Sequence, residues 1–220
     1  MRRAFAGSEK KTAAAKIGRL RRGGTSPAKV MKKLLETPHS LRIAVQAVGA
    51  VAVLYALASV ALAACGAVPM APVLVSISTD NYYFWQAIFV IPLTFLAWVA
   101  VSGMIRLLLR RGPGCASLDK TAALSGVALA AVLFVAWLPS ALSAVLMVLG
   151  MGQEELADLL SQPGLWQAFD IACYVAAAVG AALLLTLASR FSERRAKVRA
   201  AAAGTAAAAV LAALFVLFIR

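Results

Sequence analysis

The chain has 220 residues, 62% of them hydrophobic, and a mean hydropathy of +0.85. A soluble domain carries roughly 45–50% apolar residues, so this composition argues against a water-soluble globular protein. The formal net charge of +13 does not indicate a nucleic-acid binder, because most of the charge abuts apolar runs and no nucleic-acid-binding pattern surrounds it.

Residues 1–25 are rich in Ala, Gly, Lys and Arg and poor in large apolar side chains. They read as a disordered basic cytoplasmic tail. Ser26-Pro27 then supplies a helix start, with Ser as N-cap and Pro at the first helical position. Val30, Met31, Leu34 and Leu35 follow at helical spacing, flanked by Lys29, Lys32 and Lys33, and Thr37-Pro38 ends the segment. Residues 26–40 are therefore expected to form a basic amphipathic juxtamembrane segment lying among lipid headgroups. Generic anchoring is one reading, and docking of an acidic cytosolic protein is the other. His39, the one histidine, reads as a solvated or headgroup-facing residue.

Residues 41–220 hold five apolar stretches long enough to cross a bilayer as helices, about 43–65, 86–105, 121–138, 166–188 and 200–219. Residues 139–149 are apolar too, and either extend the third span or lie at the surface, where Trp137 fits an interfacial position. Pro92 and Pro139 each remove an intrahelical hydrogen bond and permit a kink.

The basic residues fix the threading. Residues 1–42 hold twelve Lys and Arg, residues 106–120 hold Arg106, Arg110, Arg111 and Lys120, and residues 190–199 hold Arg190, Arg194, Arg195, Lys197 and Arg199. Arg220 completes the set. Segments 66–85 and 139–165 have no Lys or Arg and carry only Asp80, Glu154, Glu155 and Asp158. The positive-inside rule places the N-terminus and the two basic loops in the cytoplasm and the C-terminus outside. The expected fold class is thus all-α, a polytopic transmembrane bundle of five spans.

Tyr82, Tyr83, Trp85 and Trp166 read as interfacial aromatics at the outer side, where ring and polar tip suit the headgroup depth. Trp-Gln-Ala recurs at residues 85–87 and 166–168, a faint sign of an internal repeat. Asp170 is the one ionisable residue at membrane depth; it reads as an interfacial carboxylate, with a buried proton or ligand site as the alternative. Gln46, Gln86 and Gln167 can bond across helices or reach headgroups. Small residues recur at four-residue spacing in Ala122/Gly126/Ala130, Ala172/Ala176/Gly180 and Ala200/Gly204/Ala208, which points to close helix packing within the chain, with self-association as the second reading.

Catalytic chemistry finds no footing. Cys65, Cys115 and Cys173 have no metal-binding or paired spacing. Leu62-Ala63-Ala64-Cys65 and Arg2-Arg3-Ala4-Phe5 imitate export signals but lack their context. A serine–lysine pair drawn from Ser125, Ser140 or Ser143 and Lys120 has no spacing to recommend it. No cofactor, metal or catalytic residue is expected.

The run Tyr82-Tyr83-Phe84-Trp85-Gln86-Ala87-Ile88-Phe89-Val90-Ile91-Pro92 opens a span, a Gly-containing loop Gly112–Leu118 follows, then Thr121-Ala122-Ala123-Leu124-Ser125-Gly126-Val127-Ala128, and the chain ends Leu214-Phe215-Val216-Leu217-Phe218-Ile219-Arg220. Over about residues 40–220 this resembles the bacterial branch of the Yip (Ypt-interacting, "Yip-one" domain) family of five-span membrane proteins. The resemblance implies five helices and a cytoplasmic N-terminus. The eukaryotic branch is associated with Rab-type GTPases, whereas this chain carries a basic N-terminal segment. No family residue maps here as catalytic.

The expected function is that of a non-enzymatic protein of the bacterial cytoplasmic (inner) membrane. It would organise membrane or scaffold a partner through its basic cytoplasmic face. Lys29, Lys32, Lys33, Arg110, Arg111, Arg194 and Arg195 would meet anionic lipid headgroups or an acidic cytosolic protein. The alternative is a small permease or transporter subunit using Asp170, Gln86, Gln167 and the proline-interrupted helices. Homo-oligomers are compatible with either, and nucleic acid with neither.

Overall fold

The computed structural model describes residues 26–69, 81–109, 116–192 and 197–218. The basic tail, Asp80, Arg110, Arg111, Cys115, Arg194, Arg195 and Arg220 lie outside the described residues. The chain is all-helical, with seven helices and no strand among those residues: α1 Pro27–Glu36, α2 Ser40–Ala64, α3 Tyr82–Leu109, α4 Leu118–Val148, α5 Gln153–Ser161, α6 Leu165–Ser192 and α7 Lys197–Phe218. Five of them (α2, α3, α4, α6 and α7) are long and apolar enough to cross a membrane, which fits an integral membrane protein.

These five form a closed ring in the order α2, α3, α7, α6, α4, with α4 also reaching across to α3. The ring is built inside-out relative to a soluble bundle. Its interior is lined by small residues such as Ala44, Ala97, Ala123, Ala128, Ala181 and Ala203, and by Thr94, Ser102, Thr121, Ser125 and Ser189. Many large apolar side chains face outward, among them Val99 64%, Leu57 59% and Leu183 65% exposed, although Leu124, Leu129 and Leu185 fill the interior. In lipid the outside is as apolar as the core, so close approach of backbones, not hydrophobicity, decides which face turns in. The buried hydroxyls of Thr94, Ser102 and Ser189 bond back to the carbonyls of Val90, Trp98 and Leu185, so none is orphaned in the core.

Four interhelical polar bonds lock the ring. Ser102 and Ser125 share one at 2.7 Å between α3 and α4. Ser59 donates to Gln86 Oε1 at 2.9 Å between α2 and α3. Two indoles donate to main-chain carbonyls of neighbouring helices, Trp98 to Ala122 at 2.9 Å and Trp137 to Leu54 at 3.0 Å. Trp137 thus takes part in the α2–α4 contact.

Residues 139–149 extend the third span. Pro139 sits buried inside α4, and the helix runs on to Val148. Only the Val135 carbonyl loses its helical partner, while Ala144 and Met147 beyond the proline stay buried. At 31 residues, α4 measures about 46 Å, well beyond a hydrocarbon core of about 30 Å. Its far turns therefore carry structure past the apolar layer. Both α2 and α4 stop in the same way: Gly66 and Gly150 have φ of +70° and +100°, and Ala67 and Met151 donate back to Leu62 and Leu146 at 3.0 and 3.1 Å. That six-to-one closure needs a residue free of Cβ at the left-handed position.

Of the small-residue stripes, two are packing faces. Gly126 and Ala130 are buried against the ring, as are Ala200 and Gly204, whereas Ala172 and Ala176 face outward.

Candidate functional site

The helices alternate direction, so the described ionisable groups sort by end. Every described Lys and Arg is at one end, with Glu36 and Asp119; Glu154, Glu155, Asp158 and Asp170 are at the other. Each end carries a concavity.

At the basic end, α1 begins as its sequence predicts. Ser26 is the N-cap, accepting from the Lys29 N–H at 3.4 Å, and Pro27 opens the first turn. Its apolar stripe does not lie free for headgroups. Met31 and Leu34 are buried, 3% and 7% exposed, in the main core cluster, because α1 packs against the ends of α4 and α6. Lys29, Lys32 and Lys33 remain exposed. Docking of α1 leaves a crevice of about 890 Å³ lined by the charged Lys32, Glu36, Lys120 and Arg190 together with Leu35, Phe191 and residues 116, 117 and 192. Its floor is tied together: the Ala116 N–H donates to the Ser192 carbonyl at 2.9 Å, and Arg106 donates to the Ala116 carbonyl. Among the described residues, three cations from three separate helices thus face one space with one carboxylate. Such an arrangement attracts anions with distributed negative charge. Lys120 and Arg190 were absent from the sequence-derived candidates, because their convergence with Lys32 depends on α1 folding back.

At the acidic end lies a cleft of about 170 Å³, walled by Tyr82, Tyr83 and Gln86 of α3, Ser140 and Ser143 of α4, Gln153 of α5, and Asp170 and Tyr174 of α6. Helix α5 was read as loop in the sequence. Its signals are local: Gly152 at the N-cap, Glu154 and Glu155 in the first turn, and Gln162 ending it ahead of Pro163-Gly164. The Gly152 N–H donates to Glu155 Oε2 at 3.2 Å, one half of a capping box. Leu156 is buried among Ala58, Leu62, Ala144 and Met147. Gln153 clasps the chain leaving α2, donating to the Val68 carbonyl at 3.0 Å and accepting from the Val68 N–H at 3.4 Å. Helix α5 is therefore bonded to the chain that leaves α2 and packed on α2 and α4.

The predicted polar residues part company here. Asp170 lines the cleft, half-buried. Gln86 lines it too, accepting from Ser59 and donating to the Tyr82 hydroxyl at 3.4 Å. Gln167 stays outside, donating to the Ser161 carbonyl at 3.4 Å, and Gln46 is exposed. Trp85 and Trp166 are each 40% exposed on the outer surface, while Tyr82 is 7% exposed and turned inward. The two Trp-Gln-Ala sequences consequently play different parts. Behind the cleft, one turn deeper on α2 than Ser59, the Tyr55 hydroxyl is buried with no hydrogen-bond partner among the described residues. It lies within electrostatic range of Tyr174.

The serine–lysine pairing does not assemble from Ser140 or Ser143, which line the acidic-end cleft while Lys120 lines the basic-end crevice. Ser125 is fully buried and bonded to Ser102. No group of three His, Cys, Asp or Glu among the described residues could hold a metal. Comparison with protein-family models, curated proteins and solved structures returned no match.

Proposed function

We propose that the chain is a non-enzymatic, five-span membrane protein of the Yip type that organises membrane at a basic cytoplasmic face by holding anionic headgroups there. In this reading the N-terminus, α1 and the loops at 110–115 and 193–196 face the cytoplasm of a bacterial cell. The C-terminus is outside, and the membrane is the inner one. The observation that carries the proposal is the convergence of Lys32, Lys120 and Arg190 on one crevice beneath docked α1. Scattered surface lysines serve for orientation alone, whereas cations from three helices around one space select a ligand.

A quantitative test follows. Each basic residue near an anionic surface contributes about 1 kcal/mol, so three together amount to about 3 kcal/mol, or roughly a hundredfold in affinity. The full chain extracted in mild detergent is expected to retain anionic phospholipid, and Lys32→Gln/Lys120→Gln/Arg190→Gln is expected to lose it. Lys29→Gln/Lys33→Gln/Lys197→Gln removes the same charge outside the crevice and is expected to retain most of it. Equal loss in the two variants would show that net charge alone matters and would remove the crevice from the proposal. Threading is tested by fusions to a reporter that fluoresces only in the cytoplasm: signal is expected at Gly112 and Glu193 and darkness at Glu154. A fluorescent fusion at Glu154 reverses the orientation.

The permease alternative draws on Asp170 and its cleft. Against it, Leu124, Leu129 and Leu185 are fully buried across the middle of the ring, and the cavity between α3, α4 and α7 holds only about 20 Å³. A bound ligand at the acidic end needs no such path.

A further inference from the structure

We infer that the acidic-end cleft is a binding site for a small organic ammonium group, with Asp170 as its counter-charge and the tyrosines as its walls. This goes beyond the function proposed for the basic end and does not depend on it. Three features converge. The cleft holds one carboxylate, Asp170, and no Lys or Arg among its lining residues. The described charges at this end have the same sign, since Glu154, Glu155, Asp158 and Asp170 stand there with no described Lys or Arg in a chain of net charge +13; a cleft of one sign with low-dielectric walls concentrates the opposite charge.

The third feature is aromatic. Tyr82 and Tyr83 meet edge to face with centroids 5.2 Å apart, and Tyr174, held against Phe215 at 6.3 Å, lines the opposite wall. One carboxylate among tyrosine rings suits an alkylammonium better than a metal ion: aromatic rings attract such a charge and contact its methyl or methylene groups, whereas oxygen-ligated metals need several carboxylates or carbonyls. Size agrees, because about 170 Å³ is slightly more than the roughly 150 Å³ cavity that accommodates a benzene. Ser140 and Ser143 also line the cleft and can meet a hydroxyl or phosphoester at the guest's other end. The ammonium group can come from a free amine or from a zwitterionic lipid headgroup at this depth, and both present the same chemistry.

The experiment uses the full chain in non-ionic detergent free of ammonium lipids. Saturation-transfer NMR reads choline, its uncharged tert-butyl isostere, and a short-chain phosphatidylcholine kept below micelle formation. Saturation of the choline methyl protons, with none on the isostere, is the expected result. Asp170→Asn is expected to weaken choline by about tenfold or more and Tyr83→Leu by about threefold or more, with Asp170→Asn still folded in detergent. If Tyr83→Leu fails to fold, Asp170→Asn decides alone. Stronger saturation of the phosphatidylcholine headgroup than of choline assigns the site to lipid, and the reverse assigns it to a free amine. Absence of binding by both, isostere binding equal to choline, or undiminished binding by Asp170→Asn would each overturn the inference.

Discussion

Gly204→Ala is expected to destabilise the bundle by about 3 kcal/mol, the upper end of what added volume costs in a packed interior. A Cβ at Gly204 would come within 2.3 Å of Thr186 Cα, 2.5 Å of Thr186 N and 2.7 Å of Thr186 Oγ1. Two of those atoms are main chain, so no rotamer change relieves the clash, and α7 must move bodily away from α6. Because α7 closes the ring between α6 and α3, that displacement also weakens the α3–α7 contact. Gly204→Leu extends the same conflict and is expected to prevent closure. Two other glycines serve as controls. At Gly180 the nearest atom to an added Cβ is Val132 Cγ2 at 3.8 Å, and at Gly103 nothing lies within 4 Å. Alanine there gains helix propensity of about 0.8–1 kcal/mol, so both variants should match or exceed the parent. Unfolding by SDS titration from mixed micelles gives all three values. A Gly204→Ala midpoint equal to that of Gly180→Ala would mean that α6 and α7 do not cross so closely.

The sequence showed the number of spans because charge is expensive in lipid and so marks the loops. Each expected span lies within an observed helix to within a residue. Their outward and inward faces were less legible. Amphipathic periodicity separates core from water, but in these helices core and surroundings are both apolar. The remaining signal is residue size. It correctly marked Gly126 and Gly204, and it misled at Ala172 and Ala176, where nothing packs. The amphipathic stripe of α1 was legible as a stripe, yet its burial against α4 and α6 was not, because the same pattern suits a lipid surface or a protein one. Asp170 stood out as a lone acid in a span. Tyr174 is one turn along the same helix, but Tyr82 and Tyr83 come from α3 and Gln153 from α5, and only the fold assembles them. The cation cluster is similar: Lys120 and Arg190 are ordinary loop-flanking residues until α1 brings Lys32 to the same crevice.

A second large effect is expected where α3 crosses α4. Trp98 is 7% exposed, and its indole lies across Gly126 to reach the Ala122 carbonyl at 2.9 Å. A Cβ on Gly126 would stand 2.7 Å from Trp98 Nε1, 2.9 Å from Cε2 and 3.0 Å from Ala44 Cβ. The glycine and the indole therefore define one interlocked contact, with α2 behind it. Gly126→Ala is expected to cost about 2–3 kcal/mol through overpacking. Trp98→Leu is expected to cost about 3 kcal/mol, from lost ring volume and from the missing donor. Removing both should cost less than the two losses added, because the smaller side chain clears the position that alanine occupies. A coupling of at least about 1 kcal/mol is the expected outcome of the cycle. Trp98→Phe separates the two contributions: it keeps most of the volume and loses the N–H, so its cost should stay near the 0.6–2 kcal/mol typical of a hydrogen bond in a membrane bundle. Strict additivity of Gly126→Ala and Trp98→Leu would show that the indole does not occupy the glycine's notch, and would leave Gly126 as an ordinary helix position.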